Sequence, residues 1–315
     1  MESQQYILWS VFGVLVIGLL FLDLCVFHKR AHIVRLKEAL LFSCVWIAIA
    51  LIFNIFVYYE LGHEKALEFL TGYLIEKSLS VDNLFVFVAI FAYFGIASIY
   101  HHRILFWGIV GAIVMRAIFI ASGIALINKF HWIIYVFGAF LVITGIKMLF
   151  FKEREIHPDR NFFVRALKKF VPIQTKYDGG SFLIRQNGKI FATPLLVVII
   201  VVETTDVMFA VDSIPAIFAV TNDPFIVYTS NIFAILGLRS LYFLLADIMG
   251  RFAYLKIGLS FVLAFVGVKM LMVDFYKIPI TIALGVVAAI LGSSIVISLV
   301  RKPTNSPTLP ITKGR

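Results

Sequence analysis

The chain has 315 residues, of which 61% are hydrophobic and only 15% charged, with a mean hydropathy of +0.99. A soluble domain is about 45–50% apolar and about 25% charged, so a soluble enzyme, a disordered chain and a nucleic-acid-binding domain are all excluded. An outer-membrane β-barrel is excluded as well, because its strands alternate apolar and polar residues instead of running apolar throughout. The net charge of +10 reads as basic loops at a membrane surface, since Lys and Arg collect in cytoplasmic loops and set orientation.

In chain order the apolar runs fall at about 6–27, 38–58, 70–97, 104–127, 132–151, 191–220, 226–249, 257–275 and 279–300. At roughly 20 residues per span this predicts an all-α polytopic membrane protein of about nine transmembrane helices. The acidic start, Met1-Glu2-Ser3-Gln4-Gln5, makes the first run a retained span and not a signal peptide. Basic residues follow the first run (Lys29, Arg30, Arg35, Lys37), the third (Arg103) and the seventh (Arg251, Lys256), and fill the tail (Arg301, Lys302, Lys313, Arg315). The alternate loops are acidic or neutral, as in Glu60, Glu64 and Glu68, or in Asp223. The pattern predicts a multi-pass protein of the cell's inner (plasma) membrane, with the N-terminus outside and the C-terminus in the cytoplasm.

A polar connector, Lys152 to Lys189, splits the chain. The two sides of it resemble each other. Glu76 is followed six residues later by Asp82-Asn83, and Asp206 by Asp212-Ser213. Arg116 and Arg239 sit inside the next run of each half, and Gly145-Ile-Lys-Met-Leu149 corresponds to Gly267-Val-Lys-Met-Leu271. Each unit has three spans, so the second enters the membrane inverted, as in secondary transporters with a binding site at the repeat interface. The segments are therefore a two-span N-terminal part (1–60), repeat 1 (61–151), a basic cytoplasmic connector (152–190), inverted repeat 2 (191–278), and a last span with its tail (279–315).

Five carboxylates fall inside runs three and six: Glu76, Asp82, Glu203, Asp206 and Asp212. An acid at a helix centre costs about 2.5–3.5 kcal/mol even on the lenient scale. Five acids exceed the two arginines, and the excess calls for a cation or protons. With Asn83, Ser213 and backbone carbonyls they offer an oxygen set that suits Mg²⁺, Ca²⁺ or Mn²⁺. All seven histidines lie in loops or at span edges, which argues against an imidazole site. Arg116 and Arg239 neutralise the empty site or form gates, or each is a structural salt bridge. Six residues rotate a helix about 240°, so joining Glu76 to Asp82, or Asp206 to Asp212, predicts a kink or unwinding, with Pro215 a cause in run six. Asn231, early in run seven, is within reach of the site.

The stretches Phe69–Asn83, Phe209–Phe218, Ser230–Arg239 and Val273–Pro279 resemble the TerC family of integral membrane proteins, and within it the Alx-type branch. The resemblance covers nearly the whole chain. It implies export of Mn²⁺ from the cytoplasm, with the family's intramembrane acids falling on Glu76, Asp82, Glu203, Asp206 and Asp212. It selects Mn²⁺ among the hard divalent ions, as substrate and not as a resident cofactor. Some relatives are linked to supplying metal to secreted enzymes, so a membrane scaffold or metalation partner, docking other proteins through the connector, is the alternative. An enzyme is not expected. No P-loop is present, Gly-x-Gly-Asp is absent, and His63-Glu64 lacks its second histidine because position 67 is Leu.

Overall fold

The computed structural model describes residues 2–25, 36–130, 132–150, 164–167, 171–172, 181–186, 189–246 and 254–300. In lipid every backbone N–H and C=O must be satisfied within the segment, which forces long apolar runs into helices. The elements are α1 (Glu2–Cys25), α2 (Leu36–Leu61), α3 (His63–Tyr93), α4 (Ser98–Lys129), α5 (Ile133–Phe150), β1 (Leu183–Gln186) and β2 (Lys189–Ala192). They continue with α6 (Pro194–Phe218), α7 (Pro224–Leu236), α8 (Leu238–Ala246), α9 (Leu255–Leu271) and α10 (Ile280–Val300). Among the described residues six stretches are long and apolar enough to cross a membrane: α2, α4, α5, α6, Pro224–Leu244 and Ile280–Ser298. Tyr6–Leu22 and Ile257–Leu271 are shorter apolar helices. Large apolar side chains such as Phe21, Ile52, Phe150 and Val300 face outward, as a lipid solvent demands.

Three departures from the sequence reading matter. The connector is not wholly loop, because Leu183–Gln186 pairs antiparallel with Lys189–Ala192. The two residues between them in the sequence are Asn-Gly, the strongest short hairpin signal. Most of the remaining connector, the basic residues 28–35 and the tail 301–315 lie outside the described residues. The second departure concerns runs three and six, which are single continuous helices. Pro215 sits inside α6, three residues from its end, so the bond it removes from the Val211 carbonyl disturbs only the last turns and does not divide the helix.

The third departure is that the break falls in run seven instead. It divides at Gly237 into α7 and α8. α7 starts on an Asp223 cap whose carboxylate accepts from the N–H groups of Phe225 (3.0 Å) and Ile226 (3.4 Å), with Pro224 in the first turn. Nearly all of α7 is buried, so it is the central element and not a lipid-facing one.

Helix α3 packs on α7 and α6 on α4, while α3 meets α6 and α5 meets α9. Exchanging the first three-helix unit for the second maps this set of pairs onto itself. The α5–α9 contact is reciprocal at the level of residues. A Cβ on Gly145 would meet the Ser260 carbonyl at 2.7 Å and the Ala264 nitrogen at 3.0 Å. A Cβ on Gly267 would meet the Gly138 carbonyl at 2.7 Å and the Val142 nitrogen at 2.8 Å. Gly267, Ser260 and Ala264 each stand 122 residues after Gly145, Gly138 and Val142. Residue i touching the counterpart of j, and j the counterpart of i, is the contact pattern of a two-fold axis. Small residues are what allow two membrane helices this close.

Candidate functional site

Two close approaches bring the charged residues together. Gly72 of α3 faces Ser230 of α7, where a Cβ would come within 2.8 Å of the hydroxyl. One turn on, Glu76 therefore lies against Asn231. On the other side, Gly108 and Gly111 of α4 face Val202 and Glu203 of α6. A Cβ on Gly111 would overlap the Glu203 carboxyl, so the glycine seats that acid. The α4–α6 contact then carries Arg116 to Asp206.

The centre is a buried polar cluster. Glu76, Arg116 and Asn231 are 0% exposed and Asp206 4%. Arg116 Nη1 pairs with Glu76 Oε1 and donates to Asn231 Oδ1 at 3.0 Å and to Ser213 Oγ at 3.4 Å. Its Nη2 lies 3.7 Å from Asp206 Oδ1. Asn231 Nδ2 donates to Glu76 Oε2 at 3.2 Å, and Ser80 Oγ to Glu76 Oε1 at 3.5 Å. The Asn231 amide thus turns its oxygen to the guanidinium and its nitrogen to the carboxylate, satisfying both in a medium where an unpaired charge is expensive. Two carboxylates share one guanidinium, and Asp206 Oδ2 is buried with no hydrogen-bond partner among the described residues.

Of the residues singled out in the sequence, Glu76, Asp206, Ser213 and Arg116 meet here. Glu203 lies one turn from Asp206 on α6, partly buried. Asn83 is buried two turns from Glu76 along the same face of α3. Arg239 is buried on α8, two residues beyond the Gly237 break. The side chains of Asp82 and Asp212 lie outside the described residues. Among the described residues no three His, Cys, Asp or Glu converge on a metal position; the Arg116 guanidinium occupies the space between Glu76 and Asp206.

One residue went unremarked in the sequence. Lys77 sits in mid-run beside Glu76, and the same cost argument that picked out the acids singles it out. It turns away from the cluster, and its Nζ donates to the Ala234 carbonyl at the end of α7, at 3.2 Å.

Residues 61–306 match the integral membrane protein TerC family. The chain belongs to the TerC family of integral membrane proteins. It is 52% identical over 301 residues to an uncharacterised membrane protein of Myxococcus xanthus, covering 96% of this chain and 94% of that one. It is 50% identical to a Salmonella typhi protein and 48% identical to an Escherichia coli K12 protein, both provisionally named membrane-bound redox modulator Alx. Each alignment covers 93% of this chain and 94% of the relative. Redox modulation is what that name says of those two proteins. No solved structure matches the chain. The family places the chain in a membrane as a multi-pass protein.

Proposed function

We propose that the chain is a secondary transporter that exports Mn²⁺ from the cytoplasm in exchange for protons, through the buried carboxylate cluster. The observation that carries the reading is the Glu76–Arg116–Asp206 arrangement at the seam between the two three-helix units. Two acids face one fixed cation, and one acid oxygen is left without a partner. A site with surplus buried negative charge attracts a cation, and hard oxygen donors suit a divalent ion. In the empty site Arg116 compensates the acids. A metal entering between Glu76 and Asp206 takes over that task, and the guanidinium swings aside as the cation arrives.

Glu203, Asn83 and Ser213 supply further oxygen donors along the same two helices. Asp82 and Asp212 complete the acidic set on the strength of the family resemblance. Arg239 serves the second unit as Arg116 serves the first, as a charge-compensating or gating group. The broken span seven and the reciprocal α5–α9 contact support alternating access by rocking of one unit against the other. Buried carboxylates that bind a metal release or exclude protons, which couples the two fluxes.

The test is Mn²⁺ flux in proteoliposomes carrying an internal pH dye, with wild type compared with Glu76→Gln, Asp206→Asn and Asp212→Asn. Metal movement with opposing proton movement is expected in wild type and is expected to be lost in the variants. Metal movement without a pH signal would remove the exchange. Normal flux in all three variants would remove the site.

A further inference from the structure

The break in span seven has an occupant. The last four carbonyls of a helix have no intrahelical N–H partner and carry the negative end of its dipole. Here that end is enclosed, since α7 is buried almost throughout. Lys77 of α3 reaches across to serve it, donating to the Ala234 carbonyl. Gly237 makes the room, because a Cβ there would stand 2.5 Å from Lys77 Nζ and 3.2 Å from the Cβ of Trp46. Among the described residues Lys77 makes no ion pair. Among those residues its charge faces a helix end and not a carboxylate.

We propose that the carbonyl end of α7 at Gly237 is a site for a small monovalent cation, with the Lys77 ammonium as its standing occupant. Half-helix C-terminal ends coordinate sodium in carriers built from broken helices. An ammonium is a compact point charge with several donors, and it presents the carbonyl end of a helix with much the same thing as a desolvated alkali ion. The chain therefore supplies its own +1 where such a carrier recruits one. The consequence is ion specificity: the break needs no sodium, and none enters while Lys77 is in place. This concerns the cation held at the break and stands or falls apart from which metal crosses at the carboxylate cluster.

The test is thermal melting of the purified full-length chain in detergent, in NaCl, KCl or choline chloride at equal ionic strength. Wild type is expected to melt at the same temperature in all three. Lys77→Ala is expected to melt lower in choline and to recover, saturably, as sodium or potassium is added. Lys77→Gln keeps a donor for the Ala234 carbonyl without the charge and is expected to show the same ion dependence. Lys77→Arg keeps the charge and is expected to show none. Neutral variants that fold and melt alike in the three salts would overturn the proposal, because water alone would then fill the site. So would a wild type that sodium stabilises over choline. Failure of both neutral variants to fold in any salt would overturn it too, since the ion would not then replace the ammonium.

Discussion

Replacing Arg116 by Met should be among the most damaging single changes in the membrane part of the chain, and removing Glu76 as well should add little to the damage. Arg116 contacts Glu76, Asn231, Ser213 and Asp206, all of them buried. Removing one partner of a buried ion pair costs about 3–5 kcal/mol, chiefly because the other charge is stranded. Here two carboxylates are stranded. Glu76→Gln is milder. Asn231, Ser213 and Asp206 still serve the guanidinium, so the loss is one charge-assisted contact, about 1.5–3 kcal/mol. The double variant removes both charges, and Asp206 alone remains. The two costs should therefore fall short of additive by about 2–3 kcal/mol, the upper range of measured couplings between residues in contact. Equilibrium unfolding in mixed micelles titrated with a denaturing detergent, followed by the fluorescence of the four tryptophans, completes the cycle. Additivity within about 0.5 kcal/mol would show that Arg116 and Glu76 are not energetically coupled, and the account of the cluster would fail with it.

Gly145→Ala and Gly267→Ala should each cost about 1–3 kcal/mol, because each Cβ would meet backbone of the facing helix at 2.7 Å; Gly13→Ala, with nothing within 4 Å, is the control, and equal melting at all three positions would refute the reciprocal contact. Lys65, at the start of α3 and outside the apolar run, bridges Glu68 (2.9 Å) and Asp223 (3.3 Å). Burial lowers its pKa, but the hydrogen bond and charge of Glu68, with Asp223, outweigh that and leave it raised. A raised ammonium pKa gives stability that is fully present below the unfolded value, near 10.4, and is lost as pH climbs through the folded one. Lys65→Met should thus cost a constant amount between pH 6 and 9, about 0.2–1 kcal/mol and less in high salt, and a difference that vanished on going from pH 9 to 6 would contradict the assignment. If Lys77 keeps sodium from the broken span, Mn²⁺ flux through wild type should be the same in NaCl and choline chloride, and a sodium-driven flux would contradict it.

Hydropathy alone determined where the helices are, because in lipid the backbone has no other way to satisfy itself. The apolar runs predicted each described helix to within a few residues, apart from the starts of α3 and α4, which run seven and six residues ahead of their apolar stretches, and the division of run seven. The cost of a buried charge likewise made Glu76, Asp206 and Arg116 legible without any coordinates, and the same argument, applied to lysines, would have found Lys77.

What the sequence did not determine is which of these groups meet. Reasoning along one helix, the six-residue spacing from acid to acid demanded a kink in runs three and six. The tertiary structure keeps both helices whole and gathers the cluster from four of them, through Gly72 against Ser230 and Gly111 against Glu203. Asn231 shows the difference most plainly. In the sequence it is an amide near the start of an apolar run, whereas in the fold it holds both the acid and the guanidinium. Gly237 is similar, since a lone glycine in a membrane span carries no signal of its own. Only the ammonium brought in from α3, and the ring of Trp46 beside it, show why the helix breaks there. Helix formation is settled by each segment against the lipid. Pairing of charges is settled by helix contacts between residues far apart in the chain, and those contacts are properties of the whole fold.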